Sequence, residues 1–165
     1  MKRRCGNALL ETAMFVPVLL LLLIGMIELA RVTYIYYTLH KTMYTLVRYL
    51  GTRQGANLCD AGDAEVAAAK EYALTGATDG SAEPFLSGLS SEMISIQVER
   101  YSAENGALGE CECSLAGCDA SAGGRPPDFI VVSIPDGYSV ALSFPYLVTE
   151  PILLRPSVRV PFGGT

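Results

Sequence analysis

The run from Ala13 to Ile27, AMFVPVLLLLLIGMI, carries no charged side chain, and it limits the fold more than any other stretch of the chain. As a helix it is about 22 Å long at ~1.5 Å per residue, short of the roughly 30 Å hydrocarbon core of a bilayer. Counted from Ala8 to Ala30 it reaches about 34 Å, but it then takes in Glu11 and Glu28. The segment spans a membrane only if those two acids lie near its ends or find partners.

Lys2, Arg3 and Arg4 precede the run and favour a cytoplasmic N-terminus. A cleaved secretory signal shares the basic start and the apolar middle, but the end of the run does not fit one. Ala30 is the best small residue there, and Glu28 occupies the position two before it. A lipoprotein signal fails as well, because Cys5 precedes the apolar stretch. The segment is therefore expected to stay attached. The whole chain has 12 basic and 17 acidic residues, and no basic stripe of the kind phosphate binding needs, so no nucleic-acid partner is expected.

Helical spacing continues beyond the apolar run. Leu29, Val32, Tyr36, Leu39, Met43, Leu46 and Leu50 recur at alternating spacings of three and four, the a/d seam of a helix. Arg31, Thr33, Lys41, Thr42 and Arg48 fall between them. The spacing predicts one long helix over about 7–56, with a membrane segment near 8–30 and a helical half beyond it. Two uses of the stripe remain open: packing against the protein's own head, and packing against a copy or a related helix in an assembly. Pro17 lies inside the pattern and is expected to kink or loosen the helix about a turn earlier.

Residues 57–165 are expected to form a small head. A second helix is predicted over Glu65–Thr75, with Asp63 as its N-cap and Gly76 as its C-terminal glycine. ISIQVERY alternates as a half-buried strand, with Ile94, Ile96 and Val98 on one face. FIVVSI (129–134) suits a central strand, the PDG of 135–137 a turn, and YSVALSF (138–144) another strand. A last strand is expected through ILLRPSVRV (152–160), with Pro156 marking an edge or a break. The stretch from Ser102 to Pro127 reads as loop. The fold class is α+β: a long N-terminal membrane-spanning helix, then a head with about four mostly antiparallel strands and a short helix.

The chain has five cysteines: Cys5, Cys59, Cys111, Cys113 and Cys118. Cys5 falls on the predicted cytoplasmic side. The other four fall in the exported region, where an even count argues for disulfides with three possible pairings. A bond from Cys59 to the loop would staple the helix end to the sheet insertion. A zinc site on the same four thiols has the right ligand types but lacks paired CxxC spacings, and free thiols are the third possibility. The single histidine, His40, lies on the long helix beside Lys41 and suits surface or packing duty. No GxSxG, P-loop, GxGxxG or HExxH is present. Neither an enzyme nor a cofactor is expected.

One constellation remains: a basic start, Gly6, four residues, Glu11, the apolar run with Pro17, and ELAR (28–31) at its end. KRRCG–NALLE–TAMFVPVLLLLLIGMIELAR resembles the N-terminus of pilin-like proteins, specifically TadE-like pseudopilins of tight-adherence (Flp-type) pili. The resemblance is specific over Arg3–Arg31 and looser through the long helix to YSVALSF. It implies cleavage after Gly6 by a prepilin peptidase, removing a leader of residues 1–6 and making Asn7 the first mature residue. Glu11 would then be the fifth, the family's acidic position, and Glu28 with Arg31 its membrane-exit pair. Thr12 stands where many members have an aromatic, and Asn7 where other pilins have phenylalanine.

In the pilin mechanism such a carboxylate pairs with the new amine of a neighbouring subunit. The partners implied are the lipid bilayer, other pilin-like subunits with the pilus assembly machinery, and the prepilin peptidase. The implied location is the bacterial inner membrane, single-pass, with the N-terminus cytoplasmic and the head exported, or a place in an extracellular pilus. The function implied is that of a minor pilin. The alternatives are a membrane-anchored ligand-binding protein and, from the cysteines alone, an exported metal-binding or redox module.

Overall fold

In the computed structural model the chain begins as one continuous helix, α1 (Arg4–Thr52), 49 residues long. The structure describes residues 4–53, 56–60, 62–79, 81–103, 106–113, 117–119, 123–144 and 149–163, with side chains from Glu11 onward. The leader bases Lys2 and Arg3 lie outside the described residues. α1 runs through Pro17 without ending; the proline removes the backbone bond to the carbonyl one turn earlier, a loss confined to one donor. Thr33 and Thr38 donate their hydroxyls to the carbonyls of Leu29 (2.8 Å) and Tyr34 (2.9 Å), so neither needs an outside partner. The helix ends at Thr52. There the Arg53 N–H turns back to the Leu50 carbonyl (3.2 Å) and the Thr52 hydroxyl to that of Tyr49 (2.9 Å).

The second helix, α2 (Ala64–Thr75), forms where the cap residues place it. Asp63 Oδ1 accepts from the N–H groups of Glu65 (2.9 Å) and Val66 (3.1 Å), satisfying two donors that no helical carbonyl can reach. At the other end Gly76 takes φ 82° and its N–H bonds the Tyr72 carbonyl, a left-handed cap that a side chain would strain. A 3-10 turn at Ser91–Met93 leads into β1 (Ser95–Ser102). Then come β2 (Ala107–Glu110), β3 (Phe129–Ser133), β4 (Tyr138–Val140), β5 (Ile152–Leu154) and β6 (Ser157–Pro161). The main sheet has the order β2-β1-β3-β6, antiparallel throughout, and β4 pairs with β5 in a separate ribbon.

Register explains the core. Ile96, Val132 and Val158 lie in one cross-strand row, and Val98, Ile130 and Val160 in another. Ile130, Val132 and Val158 are buried together with Leu39, Met43, Leu46, Val47 and Leu50 of α1 and Val66, Ala69, Ala73 and Leu74 of α2. Each fully buried Leu or Ile contributes about 1.5–3 kcal/mol, so the C-terminal part of α1 is structurally part of the head. On the opposite face Arg159 pairs with Glu99 and lies 5.7 Å from the Phe129 ring centre.

Of the strand expectations two change, and at Pro156 the break is the alternative taken. YSVALSF is a strand only over Tyr138–Val140 and joins the ribbon, not the main sheet. ILLRPSVRV divides into β5 and β6 around Pro156. The reason is visible at the sheet's end, where Ile134 N–H reaches the Pro156 carbonyl (3.4 Å) and proline has no N–H to return. The ladder ends there and the flanking segments pair with each other. The other change is β2, inside the stretch read as loop; it forms a hairpin with β1.

Candidate functional site

The N-terminal half of α1 is the part of the molecule that the head does not use. Met14 is 71% exposed, Leu20 55% and Leu23 54%, around the full circumference of the helix. The most apolar window of Glu11–Thr52 has a mean hydropathy of 2.5, and only 6% of it is buried. Among the described residues this is the one helix long and apolar enough to cross a membrane. An all-round apolar helix is stable when lipid or other helices surround it.

The acids sit where such a span tolerates them. Glu11 and Glu28 are seventeen residues apart in the sequence, about 26 Å along a helix, close to the thickness of the hydrocarbon layer. Glu11 is exposed. Glu28 is buried and lies 3.6 Å from Arg31 one turn on; its Oε2 has that ion pair but no hydrogen bond. A pair of this kind carries no net charge, which is what the end of an apolar span requires. Gly6 and Asn7 lie within α1, where the structure describes backbone alone.

Beyond Arg31 the exposed face of α1 turns aromatic: Tyr34 (68%), Tyr37 (71%) and Tyr44 (49%). Met26, Leu29, Ala30, Thr33, Tyr34 and Tyr37 line one shallow groove. Tyr34 and Tyr37 also line a second groove of about 450 Å³, between α1 and α2, shared with Lys41, Tyr72 and Phe85. His40 is exposed on the same helix.

The head cysteines are joined as Cys59–Cys113 and Cys111–Cys118, with Cα separations of 5.4 and 5.8 Å. This selects one of the three pairings and uses all four thiols in bridges. The first ties the segment after α1 to the loop after β2; the second closes that loop on itself. Sequence reasoning missed the residue that works with them. Arg100 on β1 donates to the carbonyls of Gly117 (3.4 Å), Pro126 (3.0 Å) and Arg125, holding the middle of the loop and its far end to the same strand. Its signal was faint, a lone arginine in an alternating strand. Gly124 is required by the same packing, since a Cβ there would lie 2.5 Å from the Gly117 carbonyl oxygen.

The family model of TadE-like proteins matches residues 6–48. The matched segment holds Gly6, Glu11, Pro17, Glu28, Arg31 and most of the stripe, and ends within α1. YSVALSF, to which the resemblance was extended loosely, lies outside it. No curated protein and no solved structure matches the chain.

Proposed function

We propose that this chain, TadE-like over residues 6–48, is a single-pass pseudopilin that takes part in building a tight-adherence pilus or a related secretion apparatus. The observation that carries this is the division of α1: one half is consumed by the head, and the other is apolar all round with an acid at each end. The three leading bases set the N-terminus in the cytoplasm and so send the head across the inner membrane, where two disulfides would persist.

The prepilin peptidase would cut after Gly6 and leave a charged amine on Asn7. Glu11 follows one helical turn later. Near the bilayer surface an isolated carboxylate and an isolated ammonium each cost free energy, and pairing between neighbouring chains offsets both. Each incoming helix brings one of each charge, so the pairing sets axial register as helices gather. The role is assembly, with no catalytic step and no cofactor.

Mass spectrometry of the protein from its native membrane tests the first step. A chain beginning at Asn7 is expected; an intact Met1 in cells with active prepilin peptidase overturns it. Glu11→Ala then separates assembly from tethering. Assembly predicts a stable, inserted protein that no longer enters the complex, whereas a mere tether would be indifferent to the change.

A further inference from the structure

We infer that the membrane-proximal end of the head rests on the lipid headgroup layer, through Phe85 together with Tyr34 and Tyr37 of α1. This rests on the spanning role of α1 and goes beyond it, since a span alone leaves the head free to stand clear of the surface.

The direction of α2 is the first observation. Arg53, at the far end of α1, lies 3.8 Å from Glu65 in the first turn of α2. Midway, the Tyr49 and Tyr72 rings are 5.2 Å apart. At the near end, Gly76 and Phe85 share a groove with Tyr34, Tyr37 and Thr38. α2 therefore runs antiparallel to α1, back toward the span, and its C-terminal end lies beside Tyr34, Tyr37 and Thr38.

Phe85 is held there. Its N–H donates to the Leu74 carbonyl in the last turn of α2 (2.9 Å), and its ring edge would lie 3.2 Å from a Cβ on Gly76. Next to it Leu86 is buried, and the Ser87 carbonyl accepts from the Tyr138 hydroxyl (2.7 Å). Yet the Phe85 side chain is 63% exposed. A large apolar ring, fixed by its backbone and turned outward, has no role in the head's own core.

Height and continuity supply the rest. Tyr34 and Tyr37 follow Arg31 by three and six residues, about 4.5–9 Å along the helix. The headgroup layer is roughly 5–7 Å deep on each side. Helical side chains lean toward the N-terminus, which lowers both rings toward the lipid. The groove from Met26 to Tyr37 and the groove holding Phe85 share Tyr34 and Tyr37, so the lipid-facing surface of the span continues without a break onto Phe85. Tyrosine rings are favoured at this depth, and a phenylalanine on an interfacial face buries into the same headgroup–acyl boundary. Lys41 lies on the same surface, and Asp79 and Glu83 are exposed on the segment carrying Phe85. The acids outnumber the lysine, so aromatic partition and not attraction to anionic lipid drives the contact.

The chain contains no tryptophan, which makes a single introduced one an unambiguous reporter. Full-length Phe85→Trp is reconstituted in phosphatidylcholine vesicles bearing a spin-label quencher near the headgroup or at mid-chain, in parallel with Tyr37→Trp and, within the span, Leu20→Trp. The expected result is loss of Phe85→Trp and Tyr37→Trp emission with the shallow label, loss of Leu20→Trp emission with the deep one, and little change with salt. Quenching of Leu20→Trp alone overturns the headgroup contact and leaves the span intact. Quenching of none overturns both. A blue-shifted Phe85→Trp emission that depends on protein concentration and ignores both labels assigns the surface to a second copy of the chain and also overturns the contact.

Discussion

Leu20 and Leu46 belong to one helix, yet they meet opposite surroundings. Leu20 is 55% exposed and ringed by other exposed apolar side chains; Leu46 is fully enclosed by the head. What separates the two halves is distribution around the axis. The first half is apolar on every face and has no side left for water. The second confines Leu39, Met43, Leu46 and Leu50 to a stripe, and Lys41 and Arg48 keep its outer face exposed. The same residue types thus direct one half toward lipid or neighbouring helices and the other into its own sheet. Apolar content alone does not distinguish them; the polar residues between the stripe positions of the second half do.

Aspartate substitution breaks this comparison most sharply. Leu46→Asp buries a carboxylate among Met43, Ile130 and their neighbours and should remove the native head altogether, since its cost exceeds the roughly 5 kcal/mol that many domains have to lose. Leu46→Ala should cost about 2–5 kcal/mol and leave a folded, weaker head. Leu20→Asp should instead oppose insertion by about 2.5–3.5 kcal/mol while leaving the head unchanged. Near-UV circular dichroism of the tyrosines in detergent, read beside membrane fractionation, distinguishes the cases. If both aspartate variants lost the head, the halves would be one cooperative unit and the comparison would fail.

The bridges sharpen the head's side of it. Cys59–Cys113 closes a sequence separation of 54 and Cys111–Cys118 one of 7. In the chain-entropy description these contribute about 4 and about 2.5 kcal/mol. Replacing Cys59 and Cys113 together by serine should therefore lower the thermal midpoint more than replacing Cys111 and Cys118. Neither pair should alter insertion, because both lie in the head. Equal shifts would mean that the short loop, clamped by Arg100, matters as much as the long closure.

What could be read from residues alone follows the same line. The long helix, the stripe, the Asp63 and Gly76 caps and the turn ending at Gly137 were legible, because each depends on side chains near in sequence. β2 was not. Ala107–Glu110 is exposed along its whole length and carries no alternation; it is a strand only because the edge of β1 is there to pair with. The ribbon of β4 and β5 is a second such case, fixed by the missing N–H of Pro156. The pairing among four cysteines was open for the same reason, as it depends on where a hairpin places Cys111 and Cys113. The exposed ring of Phe85 gave no signal, since a phenylalanine in a Gly- and Ser-rich stretch reads as an ordinary loop anchor.

The smallest expected effect asks how far α2 shares the security of α1. α1 is held along its length by the head on one half and by its surroundings on the other. α2 has 12 residues, a length at which a helix alone is marginal and end chemistry counts. Asp63 does two things there: Oδ1 caps Glu65 and Val66, and Oδ2 accepts from the Asn57 N–H (3.3 Å). Asp63→Ala removes both and should cost about 1–2 kcal/mol, seen as a lower thermal midpoint of the head and faster amide exchange in the first turn of α2. Asp63→Asn keeps one oxygen for the cap and gives up the contact to Asn57, so it should recover most of the midpoint while leaving exchange at Asn57 fast. Were Asp63→Asn as damaging as Asp63→Ala, the tie to residue 57, and with it the neighbouring Cys59 bridge, would be the feature that holds α2 in place. The helix cap would then be secondary.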